Sequence, residues 1–140
     1  MINADVQELL RYLKALVFNV KMNDSIPEKF AADENFLELD KSLRTIRNSA
    51  VELGTGNLSH EIRGKGFILG TLKNLQASLR NLTWKTKAIA SGDFSQSVHF
   101  LGHFSEAFNS MTKKLELSIQ EMKEAQEHRE WCFIPFPMPL

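Results

Sequence analysis

GNLSHEIRGKGFILGTLKNLQASL (residues 56–79) and GDFSQSVHFLGHFSEAFNSMTKKL (residues 92–115) align without a gap at a shift of 36 residues. Gly56 falls on Gly92, Ser59 on Ser95, Gly66 on Gly102 and Leu79 on Leu115. The matches of kind are as informative: Asn57 with Asp93, Leu58 with Phe94, Ile62 with Val98, Ile68 with Phe104, Leu72 with Phe108 and Leu75 with Met111. A self-match at a period of about 20 to 50 residues indicates an array of one supersecondary unit. A second shift of 36 residues, toward the N-terminus, sets Met22 on Leu58, Ile26 on Ile62, Ala32 on Ile68, Phe36 on Leu72 and Leu39 on Leu75. Val20 stands where Gly56 would, so residues 1–32 read as an N-terminal helix and connector that could be a degenerate repeat.

Between the glycines one apolar rhythm recurs. Ala32, Phe36, Leu39, Leu43, Ile46, Ala50 and Leu53 are spaced 4-3-4-3-4-3, as are Ile68, Leu72, Leu75, Leu79, Leu82, Thr86 and Ile89. Phe104, Phe108, Met111, Leu115, Ser118, Met122 and Ala125 repeat the spacing, and Val6, Leu10, Leu13, Val17 and Val20 give a shorter version. A period of about 3.5 held over three heptads belongs to helices packed as in a coiled coil. Strand-like alternation is absent, so an all-α fold is expected.

Local signals set the helix ends. Either Ser25-Ile26-Pro27-Glu28 or Asp33 can open the second helix, since Ser and Asp cap free N–H groups and Pro is tolerated in a first turn. Leu53-Gly54-Thr55-Gly56 closes it and Ser91-Gly92 closes the third, because glycine takes the left-handed conformation past a helix C-terminus. The expected helices cover residues 4–22, 33–53, 67–90 and 103–130.

Each clear connector carries Gly-x-apolar and, four residues on, a second apolar: Leu58 with Ile62, and Phe94 with Val98. Two such side chains can strap a non-helical segment onto a helix pair. About 12 extended residues reach roughly 40 Å, whereas about 16 residues of helix rise only about 24 Å. A connector of this length can return along the bundle and leave the flanking helices parallel.

In these features the chain resembles the HAMP domain, the signalling module of bacterial chemoreceptors, sensor histidine kinases and diguanylate cyclases. The resemblance rests on SGDFSQSV with its second apolar Val98, and on Gly102 leading into HFSEAFNSM, whose Phe108-Asn109 and Met111 look like the family's second-helix motif. It covers residues 39–125 as two linked copies, a first unit at 33–82 and a second at 67–127 that share the helix 67–90, similar to a poly-HAMP array. The resemblance implies a parallel coiled-coil helical bundle completed by homodimerisation. It assigns connector and relay roles to Gly56, Leu58, Ile62, Gly66, Gly92, Phe94, Val98 and Gly102. It places Leu72, Leu75, Leu79, Leu82, Ile89, Phe104, Phe108, Met111 and Leu115 in the dimer core. The acidic pair usual before the second-helix glycine is replaced by Gly64-Lys65 and by Phe100-Leu101, and an antiparallel up-and-down helical bundle stands as the alternative fold.

Composition narrows the function classes. The chain has 140 residues, 43% of them hydrophobic, enough for one modest core or a short array of small modules. Cys132 is the only cysteine, which leaves no disulfide framework and favours a reducing, cytoplasmic setting. No apolar run approaches the roughly 20 residues a bilayer span needs, so no direct membrane insertion is expected, although a parent protein could be membrane-tethered. Net charge is zero, with a basic stretch free of acids from Ile62 to Gly92 between acidic flanks. A basic helix between acidic ones pairs with its neighbours in a bundle more simply than with nucleic acid, even with Trp84 available for stacking.

Ser59-His60-Glu61-Ile62-Arg63 resembles the phosphoacceptor box of histidine kinases, which makes a histidine phosphotransfer protein using His60 one alternative. The glycines before it disfavour a helix, Gly64 and Lys65 stand where that box has Thr-Pro, and the 77 residues after Arg63 are too few for an ATP-binding lobe. The repeat also puts Gln96 in the place of His60. His99, His103 and Glu106 have spacings of four and three that could gather a metal, but Gly102 falls within the span; no metal, cofactor or catalysis is expected. Residues 128–140 read as an irregular tail because three prolines end the helix, with Trp131 and Phe136 as anchors if the tail docks. The expected function is a non-catalytic relay that passes a conformational change to a downstream output domain such as a kinase or diguanylate cyclase. A monomeric helical ligand sensor or adaptor is the other alternative.

Overall fold

The computed structural model describes residues 3–22 and 25–133. Among them are four helices and no strand: α1 (Ala4–Phe18), α2 (Glu34–Gly54), α3 (Phe67–Ala90) and α4 (His103–Phe133), with a single 3-10 turn at Glu28–Phe30. The all-helical class follows the apolar rhythm, and so do three of the four helix starts. Asn3 caps α1 by accepting from the Asp5 N–H at 3.2 Å, and Asp33 caps α2 by accepting from the Phe36 N–H at 2.9 Å. Of the two candidate starts for α2, Asp33 is used, while Pro27 leads into the 3-10 turn.

Three ends differ from expectation, that of α2 only by the single residue Gly54. α1 stops at Phe18 rather than residue 22, because Asn19 takes an extended conformation and its N–H closes on Ala15 O. The freed carbonyls find a partner on another helix: the Arg47 guanidinium donates to Leu16 O at 2.9 Å and to Val20 O at 2.6 Å. Unwinding there lets Met22 and Ile26 reach the core. α4, in contrast, runs to Phe133 instead of 130. The first proline beyond it is Pro135, and the residue before a proline is the one disfavoured in a helix. The rest of the tail, Phe136 included, lies outside the described residues.

The chain divides into two compact units, residues 1–79 and 80–140. In the first, Tyr12, Leu16 and Phe36 form a buried cluster joined by Leu9, Leu13, Met22, Ile26, Phe30 and Leu43. The Tyr12 and Phe30 rings lie 5.7 and 5.6 Å from that of Phe36. Tyr12 OH donates to Asp40 at 2.5 Å and accepts from Arg44 at 2.7 Å, while Arg44 also bonds Asp40 at 3.1 Å. Asp40 is buried, and these donors are what make its burial tolerable. Contacts advance in the same direction along the two helices, from Tyr12 with Asp40 and Arg44 to Leu16 with Arg47. The segment between them runs the other way: Val20 lies at Arg47, whereas Lys29 pairs with Asp5 at the start of α1.

The second unit has its own core, in which α3, a connector and α4 each take part. Ile89, Val98 and Phe108 are buried together, with Leu82, Phe94 and Leu101 packed against them. Val98 is fully enclosed. Burial of one such side chain is worth about 1.5 to 3 kcal/mol, enough to hold a short non-helical segment in place.

Candidate functional site

The two connectors that the sequence singles out are built alike. α2 ends with Gly56 at φ 84°, its N–H bonded to Leu53 O at 3.1 Å and the Asn57 N–H to Glu52 O at 2.8 Å. α3 ends with Gly92 at φ 98°, its N–H bonded to Ile89 O and the Asp93 N–H to Ala88 O, both at 2.9 Å. This pair of bonds is a Schellman motif, and it requires the left-handed residue that glycine supplies without steric cost. The next residue then turns the chain again. Asn57 Oδ1 accepts from the Ser59 N–H at 3.2 Å, and Asp93 Oδ1 from the Ser95 N–H at 3.1 Å. These Asx turns explain why only Asn and Asp occupy the position.

The strap residues follow. Leu58 and Phe94 are half-buried, and Ile62 and Val98 are buried. At the far end Gly66 and Gly102 adopt φ of 116° and 52°, and each carbonyl accepts from the following helix, Gly70 N at 2.9 Å and Ser105 N at 3.0 Å. All eight residues assigned to the connectors therefore occupy equivalent places in the two copies.

What fastens the straps differs. In the first, the Gln76 side-chain amide donates to His60 O and Lys73 Nζ to Gly64 O at 2.6 Å. In the second, Asn109 forms two bonds with the backbone of Val98, Ser105 Oγ accepts from the Leu101 N–H at 2.8 Å, and Lys85 Nζ donates to Ser97 O. Successive connector residues meet successively earlier positions on α3: Asp93 at Ala88, then Ser97 at Lys85. Against α4 they meet it in the opposite sense as well, Val98 at Asn109 and Leu101 at Ser105.

Asp93 has a second consequence. The Ser95 hydroxyl, the Gln96 amide and the Ser95 N–H all stabilise its ionised form and hold the carboxyl below its usual range. Asn57 has no charge to tune, so the two turns respond differently to acid.

The residues assigned to a dimer core separate into two groups. Ile89 and Phe108 are buried within one chain, and Leu72, Leu79 and Leu82 are half-buried. Leu75, Phe104, Met111 and Leu115 remain 42, 51, 47 and 42% exposed. From Lys113 to Arg129 every residue of α4 is exposed.

His60 lies in the non-helical connector, where its carbonyl is the group engaged. His99 Nε2 lies 2.7 Å from Ser97 Oγ, whereas His103 Nδ1 lies 3.7 Å from Glu106. Among the described residues no three His, Cys, Asp or Glu side chains gather as metal ligands would, and no helix is long and apolar enough to cross a membrane.

Sequence reasoning passed over the polar layer. Asp40, Gln76 and Thr112 are all buried and stand 36 residues apart, one turn after Phe36, Leu72 and Phe108. Asp40 bonds Tyr12 and Arg44, Gln76 bonds the first connector, and Thr112 Oγ1 bonds Phe108 O at 3.0 Å. The repeat carried the signal, since one polar residue in three registers of an apolar stripe is a pattern. No family model, curated protein or solved structure matches the chain.

Proposed function

We propose that the chain is a non-catalytic signal-relay module of the HAMP type, working as a parallel homodimer that couples an input to an output domain such as a kinase or diguanylate cyclase. One observation carries the reading. The same device, a Schellman end, an Asx turn and a buried strap, occurs twice at a spacing of 36 residues, beside a heptad seam left partly exposed.

Contacts that advance together along α1 and α2 support a parallel arrangement. A connector that runs against both α3 and α4 supports the parallel arrangement as well. In the second unit the exposed heptad positions Phe104, Met111 and Leu115 are what a second chain would cover. A relay then needs two packings of that bundle a few kcal/mol apart, biased by rotation or by a change in helix stability.

The test is a single cysteine at Leu79 in a Cys132→Ser background. A rapid same-residue disulfide between chains is expected. A chain that stays monomeric at high concentration, with no cross-link, would overturn the proposal in favour of a monomeric bundle.

A further inference from the structure

The two connectors are alike in backbone but unlike in what holds them down. In the second unit Asn109 fastens both backbone groups of Val98, Ser105 accepts from the Leu101 N–H, and Lys85 donates to Ser97 O. A shift of 36 residues puts Lys73, Leu69 and Ser49 in the places of Asn109, Ser105 and Lys85. Each replacement changes the chemistry. A lysine donates and cannot accept, and a leucine does neither, so neither can hold a connector N–H as Asn109 and Ser105 do. Lys73 donates to Gly64 O through an exposed bond instead, and Leu69 is simply buried.

Ser49 is the most informative of these residues. It lies one turn before Glu52, whose carbonyl takes the Asn57 N–H, just as Lys85 lies one turn before Ala88, whose carbonyl takes the Asp93 N–H. Arg47, which bonds the end of α1, is about 200° away around the helix, so Ser49 faces away from α1 and toward the first connector. Lys85 spans the gap to Ser97 with a long side chain, and a serine has no such reach. Ser49 is fully buried, and among the described residues its hydroxyl meets no partner. A hydroxyl buried in this way penalises the closed state, because opening returns it to water.

We propose that the first connector, residues 57–65, is a strap poised to open, and that it lifts from its helices ahead of the second, residues 93–101. Lifting breaks the bonds of Gln76 to His60 O and of Lys73 to Gly64 O, wets Ser49, and unties the start of α3 from the end of α2. The second strap stays down under the Asn109 clamp. The inequality belongs to each connector within its own unit, and its use as the first moving part of a relay rests on the reading above.

The test measures opening in the full chain, with Cys132→Ser and one cysteine at Ile62 or at Val98, both buried. Under native conditions a thiol reagent should modify Ile62→Cys at least tenfold faster than Val98→Cys. Equal rates, or the reverse order, would overturn the proposal. Because each cysteine trims its own strap, amide exchange of the unaltered chain is the second measurement. Residues 57–65 should exchange at least tenfold faster than residues 93–101, and equal protection would overturn the proposal too. Exchanging the fasteners should move the rates: Lys73→Asn should slow labelling at Ile62→Cys, and Asn109→Lys should raise that at Val98→Cys to the level of the first strap. Ser49→Ala removes the orphaned hydroxyl and should slow exchange across residues 57–65, whereas faster exchange would show that the hydroxyl holds the strap and refute its part. None of these measurements needs a dimer. Equal straps would leave the relay reading standing, and a missing Leu79 cross-link would leave unequal straps standing.

Discussion

Asn109 grips the backbone of Val98 with both ends of its amide: Oδ1 accepts from the Val98 N–H at 2.8 Å and Nδ2 donates to the Val98 carbonyl at 2.7 Å. Val98 is fully buried, so neither group has ready access to water once Asn109 is gone. Asn109→Ala should therefore destabilise the chain by about 1 to 3 kcal/mol, the cost of orphaned buried polar groups. Denaturant unfolding measures the loss, and amide exchange at Val98 should rise with it. Asn109→Asp keeps the acceptor and should retain more protection at the Val98 N–H than Asn109→Ala does. Equal protection in the two variants would mean that the contact does not hold the strap.

The glycines make a prediction with opposite signs. Gly92→Ala places a Cβ on a residue at φ 98°, a conformation that costs L-residues about 1 to 2 kcal/mol. Gly56→Ala, at φ 84°, should cost the same. Gly70 lies inside α3 with nothing within 4 Å of an added Cβ, so Gly70→Ala should stabilise by about 0.5 to 1 kcal/mol. Thermal melts of the three variants test the pair of signs. A stabilised Gly92→Ala would contradict the Schellman end.

How much of this was legible depends on the range of the cause. Caps and glycine ends are local, so Asp33, Gly56 and Gly92 announce themselves in the sequence. The end of α1 is not local: Arg47 takes the carbonyls of Leu16 and Val20 from 31 and 27 residues away, and no signal near Phe18 encodes that. The heptad stripes were visible, but periodicity alone does not say which side chains meet their own chain and which stay open. Ile89 and Phe108 are taken up by the strap, whereas Leu75 and Met111 are not.

Tyr12 links stability to alkaline pH. Burial first, then the bond to Asp40, raise its pKa against the opposing influence of Arg44. A raised folded-state pKa contributes stability that is fully present below the unfolded value, near 10, and is lost as pH rises through the folded value. Unfolding free energy should thus decline above about pH 10, and Tyr12→Phe should remove this group's part of the slope. The same change leaves buried Asp40 short of a donor, which costs about 1 to 3 kcal/mol at neutral pH. Titration of stability from pH 8 upward separates the two effects, and identical slopes in both proteins would refute the linkage.

Asp93 acts at the other extreme. Its carboxyl titrates below the usual range, so its contribution is present above the unfolded value and lost as pH falls through the folded one. Asp93→Asn copies the uncharged first turn at Asn57, and should blunt the loss of stability on acidification while leaving the Asx turn in place. Unfolding followed from neutral to acid pH checks it, and an unaltered acid limb would count against the Ser95 and Gln96 bonds.

Two residues of α4, one turn apart, should separate folding from association. Phe108 is buried with Val98 and Ile89, and truncation of such an aromatic to Ala costs about 3 to 5 kcal/mol through lost contacts and the cavity left behind. Met111 is 47% exposed and joins neither buried cluster among the described residues, so Met111→Glu removes little that a single chain uses. If a second chain covers that seam, the charge must be desolvated on association, and the lost apolar burial alone is worth about 1.5 to 3 kcal/mol, roughly ten- to a hundred-fold in the dissociation constant. Sedimentation should then show Met111→Glu as helical but dissociated, and calorimetry should show Phe108→Ala as melting early. A Met111→Glu chain that unfolds as readily as Phe108→Ala would place Met111 in the intrachain core instead.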